Sequence, residues 1–247
     1  MDDQNSFYES ERKLELNTFD AKESIGRYTA KTFLIMFLGL LVTFGVAFFF
    51  SQTYRGLYIL MYAYYYIPRI HVILQVAQLA VVIGMSAAIH KISPAVATVF
   101  FFVYAILTGL TFTVYFIAFE MPSLILVFAA TALYFGGMAV FGYVTHMDLS
   151  RIRPILVSGL IFLIIFNVLM MFIPGLAVAD RVVCTIGLII FLGYTAYDTQ
   201  RIKTFCNYYS GDEAMLKKAS IFSALALYLD FINMFLYVLR LFGKRRN

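Results

Sequence analysis

Carboxylates are scarce in this chain: of fourteen Asp and Glu, seven lie in the first 31 residues. The other seven are Glu120, Asp148, Asp180, Asp198, Asp212, Glu213 and Asp230, too few to coat a soluble fold of this size with polar surface. Charged residues make up 13% of the chain and hydrophobic ones 62%, against about 25% and about 45–50% in an average soluble domain. That is the composition of a membrane protein. Tryptophan is absent, so tyrosine has to supply any aromatic belt. Two cysteines, Cys184 in an apolar run and Cys206 in a polar loop, make no disulfide framework and read as reduced and structural. With three histidines, no CxxC and no HExxH there is no metal-ligand constellation, and no GxxxxGK[ST] offers a phosphate loop. The net charge of +5 comes from short basic clusters between apolar runs. That is how membrane flanks look, and it gives no stripe to track a nucleic acid backbone.

What is present is a series of apolar runs, each near the roughly 20 residues that cross a bilayer. Seven are expected: residues 32–50, 70–89, 95–119, 123–145, 155–173, 182–198 and 221–242. All five prolines, Pro68, Pro94, Pro122, Pro154 and Pro174, fall at or between their ends, where proline breaks a helical ladder. The organisation expected is a polar cytosolic tail over residues 1–31, a membrane domain over 32–243 and a basic end over 244–247. The tail lacks the basic start, apolar core and small-residue cleavage site of a secretory signal, and reads as retained.

Lys and Arg set the orientation. With the N-terminus in the cytosol, that side receives twelve (Arg12, Lys13, Lys22, Arg27, Lys31, Lys91, Arg151, Arg153, Arg201, Lys203, Lys217, Lys218) and the outside three (Arg55, Arg69, Arg181). Arg240, Lys244, Arg245 and Arg246 would fall outside after seven full crossings. The last segment therefore either crosses against this bias or is re-entrant. Tyr54, Tyr58, Tyr62 and residues 64–66, all Tyr, cluster after the first span and read as an aromatic belt at the outer headgroups.

Ionisable groups inside a membrane are costly, and each is a functional-site hypothesis. In the last span Asp230, Asn233, Tyr237 and Arg240 fall at steps of three, four and three, with Ser223 seven residues earlier, making one polar stripe on an apolar helix. The stripe should face protein, with Leu229 and Met234 toward lipid; interhelical adhesion by Asp230 and Asn233 is the plainer alternative. In the sixth span Tyr194, Asp198 and Arg201 share a face, with Asp198 placed near the cytosolic rim, either as part of a site or as a solvated partner of Arg201. His71, Gln75 and Gln78 share a face of the second span and read as a packed polar seam. Asn167 and Glu120 carry weaker claims.

GYTAYDTQRIK around Asp198, ALALYLDFINMFLYVLRLFG around Asp230, YAILTGLTF in the third span and FGYVTHMDLS closing the fourth together resemble the Bax inhibitor family, in its bacterial form, over residues 30–243. The resemblance implies a fold of seven transmembrane helices with the seventh central among the other six. It also implies an inner-membrane, non-enzymatic calcium leak sensitive to pH, and an aspartate pair, Asp198 and Asp230, that shares a proton to control it. Calcium would be the cargo, met by these two carboxylates, with Asn233, Tyr237, Tyr194 and Arg201 lining or supporting the path and no resident cofactor. One departure stands out: family members often carry an arginine just before the turn into the third span, and here SAAIHKISP places Ala88 there, with His90 and Lys91 the nearest basic partners.

Two rival readings follow. Some bacterial relatives are taken to restrain a membrane-anchored ATP-dependent protease, for which the N-terminal tail would be the handle. An intramembrane aspartyl protease also pairs two aspartates, but that class wants Gly-x-Gly-Asp where this chain has Leu227, Tyr228 and Leu229 before Asp230.

Overall fold

The computed structural model describes residues 2–67, 70–88, 90–173 and 179–246, with side chains from Ser24 onward except those of Tyr64, His71, Met171 and Phe172. Pro68, Arg69, Pro174, the side chain of His71 and those of the tail, all used in the sequence reading, lie outside the described residues. Among the described residues the chain forms eight α-helices: α1 (Asp2–Gln52), α2 (Tyr54–Tyr66), α3 (Ile70–Ala88), α4 (Pro94–Ala118), α5 (Met121–Val144), α6 (Arg153–Phe172), α7 (Asp180–Tyr208) and α8 (Glu213–Phe242). Six are long and apolar enough to cross a membrane: α1 from Ser24, α4, α5, α6 with the 3-10 turn before it, α7 and α8. The segment expected as the second span gives a shorter apolar helix, Val72–Ala88 within α3. The chain is a multi-pass helical membrane protein, as lipid requires when every backbone group must find its partner within the chain.

Local chemistry sets the helix starts. Ser93 accepts a hydrogen bond from Val96 N (3.3 Å) with Pro94 opening α4, and Asp212 accepts from Met215 N (2.9 Å) at the start of α8. Pro122 and Pro154 sit in the first turns of α5 and α6, where a missing N–H costs nothing. Threonines inside the helices return their hydroxyls to the carbonyl four residues back, as Thr108 does to Tyr104 O at 2.9 Å and Thr199 to Thr195 O at 2.7 Å.

Helix α8 is the most enclosed, packed by α1, α4, α5 and α7. At one end, called the near end, Tyr28 of α1 donates to Leu216 O (3.2 Å) and the hydroxyls of Thr32 and Ser220 lie 2.8 Å apart. Midway, Thr43 donates to Ala105 O of α4 (2.9 Å) and its hydroxyl lies 2.6 Å from that of Tyr228. Such interhelical bonds are worth about 0.6 kcal/mol each on average in a membrane, so close packing carries more. A Cβ on Gly109 would fall 2.7 Å from Thr43 O, so only glycine lets α4 approach α1 this closely. Toward the far end Phe44 meets Phe128, Phe235 and Phe112 edge to face at 5.0, 5.5 and 5.9 Å.

Two corrections and one alternative left open by the sequence concern α7 and α8. Both helices run on past the apolar stretch, α7 to Tyr208 and α8 from Glu213, because helical hydrogen bonding persists in water once capped. Met234, expected to face lipid, is fully buried, because α8 is surrounded on most sides. The last segment runs the length of the bundle: Arg240 pairs with Asp180 at the start of α7, Lys244 Nζ lies 3.0 Å from Glu120 Oε1, and Glu120 N donates to Lys244 O (3.0 Å). Phe119 and Arg245 form an isolated antiparallel bridge there. Topology reporters fused at residue 1 and after residue 247 should therefore report opposite sides of the membrane; the same side for both would mean that the last helix turns back.

Candidate functional site

Asp198 sits on α7 and Asp230 on α8, and the antiparallel pairing of these helices brings the two level. The helices are joined by a four-residue turn, residues 209–212, and touch where the Thr195 hydroxyl meets Met234 Sδ at 3.6 Å. Moving three residues along α7 to Asp198 is matched by moving four back along α8 to Asp230, so the carboxyls occupy one layer of the bundle. Each lies within electrostatic reach of the other, and Tyr194, one turn before Asp198, lies within reach of both. Helix α7 continues ten residues beyond Asp198, about 15 Å, and Asp198 is buried in the bundle beside Asp230.

Asp198 is buried, and its Oδ1 lies 3.9 Å from Arg201 Nη1. The Arg201 side chain is 44% exposed and its guanidinium lies 4.6 Å from the centre of the Phe205 ring, a stacked position open to water on one side. Arg153, opening α6, is the second cation acting on Asp198. Asp230 is 3% exposed, and its Oδ2 has no hydrogen-bond partner among the described residues. Each unsatisfied buried polar atom carries a penalty of about 1–3 kcal/mol, so this oxygen adds no interhelical hydrogen bond.

A cavity of about 310 Å³ reaches Asp198 from the near end. Arg201 and Tyr209 stand along it with Ser223 and Leu229 of α8, and α3 contributes Val82 and Ser86. The polar stripe expected on α8 is partly as placed. Ser223, Asp230 and Tyr237 are buried, whereas Asn233 is half-buried and donates to Leu229 O (2.8 Å). Its neighbours Phe222, Ala226, Leu229 and Leu236 form the least covered line of the helix. Tyr237 packs on Phe191, ring centres 6.0 Å apart. His90 and Lys91 are exposed at the turn between α3 and α4 and do not line the cavity. Ser86 and Tyr209 were missed from sequence. Ser86 continues the face of Gln75, Gln78 and Val82 at helical spacing, a signal present in the sequence. Of the expected polar seam, Gln78 donates to Thr111 Oγ1 (3.2 Å) of α4, whereas Gln75 is exposed. Among the described residues there is no cluster of three or more His, Cys, Asp or Glu to hold a metal.

Comparison with known proteins adds to this geometry. The family model described as "Inhibitor of apoptosis-promoting Bax1" matches residues 26–247. The inner membrane protein YbhL of Escherichia coli (strain K12) is 39% identical over 221 residues, 89% of this chain and 92% of that protein. An uncharacterized protein of Borreliella burgdorferi is 34% identical over 223 residues, covering 90% and 93%, and one of Rickettsia prowazekii is 33% identical over 230, covering 93% and 94%.

Proposed function

This chain belongs to the Bax inhibitor family, and on that premise we propose that it is a proton-controlled calcium leak of the inner membrane, non-enzymatic, with Asp198 and Asp230 as its gate. The observation that carries this reading is the pair itself: two buried carboxyls in one layer, Asp198 lining a cavity and Asp230 behind it with an unpartnered oxygen. Two such groups in low dielectric cannot both ionise cheaply, so they hold one proton between them and titrate as a unit. Loss of that proton sets two negative charges side by side and drives α7 and α8 apart. The carboxylates then offer hard oxygens to Ca²⁺ as cargo, with the Ser86 and Ser223 hydroxyls and water to make up the six to eight ligands it takes.

In this reading α3 is the seventh crossing, the N-terminus and the near end are cytosolic, and Arg201 neutralises Asp198 in the closed state, a part for which His90 and Lys91 were candidates from sequence. Tyr194, Asn233 and Tyr237 line the way toward the far end, where the Arg240 to Asp180 and Lys244 to Glu120 pairs close the exit. The test is calcium flux through the purified protein in proteoliposomes between about pH 5 and 8, a span in which only a perturbed carboxyl pair or a histidine titrates. Flux should rise with pH. A flux indifferent to pH, or none, sinks the gate and leaves restraint of a membrane-anchored ATP-dependent protease as the better reading. In that case deleting residues 1–24 should abolish the restraint.

A further inference from the structure

Helix α1 packs on α4 and α8, and α5 packs on α7 and α8, but between α1 and α5 the bundle is open to the lipid side. The opening is a cleft in two halves. Toward the near end a cavity of about 390 Å³ is walled by Gly26, Thr29 and Phe33 of α1 and by Gly136, Ala139 and Tyr143 of α5. Toward the far end a second, of about 250 Å³, is lined by apolar side chains alone, with Leu41, Phe44, Phe128 and Ile125 on its walls and Phe235 of α8 at its floor. Phe33 and Phe135, edge to face at 6.3 Å, form the waist between them.

Three observations point to an occupant. Gly26 and Gly136 face open space: a Cβ built on either meets no atom within 4 Å, so neither glycine is there to let helices touch. Thr29 is 8% exposed and its hydroxyl has no partner among the described residues, although every other fully buried threonine hydroxyl is bonded to a carbonyl. At the near-end rim the half-buried Lys203 lays its ammonium on Tyr143, 5.1 Å from the ring centre and donating to Tyr143 O at 2.5 Å. From Thr29 to Phe44 the cleft runs about 22 Å along α1, longer than one leaflet's share of a bilayer core about 30 Å thick.

We propose that this cleft is a binding site for one phospholipid of the near-end leaflet. One acyl chain lies in the groove between α1 and α5, passing over the Phe33–Phe135 and Phe44–Phe128 ring contacts into the apolar half. The Thr29 hydroxyl, after one rotamer step, donates to a glycerol ester carbonyl, and Lys203 meets the phosphate. The chemistry favours a lipid over a helix from another protein, because the far half offers no polar group, the cleft narrows at the waist, and the polar atoms collect only at the headgroup end. The site is separate from the aspartate pair and does not rest on the proposed leak.

Native mass spectrometry of the intact protein, delipidated and then titrated with phosphatidylglycerol or phosphatidylethanolamine, tests this. The wild type should retain one phospholipid. Gly136→Leu, whose Cβ meets no atom within 4 Å and whose side chain projects into the cleft, should lower retention by about tenfold or more, with thermal stability unchanged or raised. Thr29→Val should weaken both lipids about threefold, and Lys203→Gln should remove any preference for the anionic one. Equal retention by Gly136→Leu and wild type would overturn the proposal. So would a wild type that retains no lipid, or a dimer that Gly136→Leu dissolves, the last of which would give the cleft to a helix of a second copy.

Discussion

Replacing Asp230 by asparagine is expected to flatten the pH dependence of calcium flux, and adding Asp198→Asn should flatten it no further. Asparagine keeps the volume and polarity of the side chain but cannot ionise, so either substitution removes half of a unit that works only as a pair. A gate set by one shared proton changes at most about tenfold per pH unit; in either single variant that slope should fall to less than about twofold. The sign follows from the pair: the protonated form is closed, so wild-type flux rises with pH, and an asparagine variant, unable to build two opposed charges, stays near its low-pH value. Strict non-additivity is the signature of coupled groups. Additive effects of the two single variants would mean that Asp198 and Asp230 act separately, each as an interhelical contact. Arg201→Gln provides a second reading of the same site, because it removes the cation 3.9 Å from Asp198 and should alter the pH midpoint while preserving the slope.

Much of this arrangement was legible in the sequence because lipid imposes simple rules. Apolar runs of span length and prolines at their ends located the six long helices. The two aspartates stood out because, Arg240 apart, nothing else in those runs is charged. What escaped has physical causes. The ends of α7 and α8 carry Arg201, Lys203, Lys217 and Lys218, which read as loop by hydropathy, yet a capped helix continues into water unhindered. The expected sixth span for that reason ended at Asp198, ten residues short of the end of α7 at Tyr208. Met234 was assigned to lipid on the assumption that α8 has a lipid side. A helix enclosed on most sides has no strong apolar face, so periodicity cannot tell core from lipid when both are hydrocarbon. The cleft between α1 and α5 left no trace, since glycines that face a gap read the same as glycines that seal a contact.

That last distinction gives the largest stability effect expected. Gly142→Ala should destabilise the protein, while Gly137→Ala, five residues earlier on the same helix, should leave it unchanged or stabilise it. A Cβ on Gly142 would fall inside contact distance of the Ala196 carbonyl oxygen and 2.8 Å from Ala196 Cα, whereas one on Gly137 meets nothing within 4 Å. Backbone cannot swing aside as a side chain can, so α5 must retreat from α7, at a cost of about 1–3 kcal/mol for a methyl group and more for valine or leucine. The ordinary gain of about 1 kcal/mol from glycine to alanine in a helix applies to both variants, and only steric conflict separates them. Cys184 and Cys206 are free and buried, so a thiol-reactive dye added during heating reports unfolding directly. Gly142→Ala should lower the midpoint by on the order of 5 °C. Because Ala196 stands two residues before Asp198, a displaced α7 should also shift the pH midpoint of flux, which Gly137→Ala should not. Equal melting of the two variants would mean that α5 and α7 are held apart by more than this contact, and that Asp198 owes its level in the bundle to α8 alone.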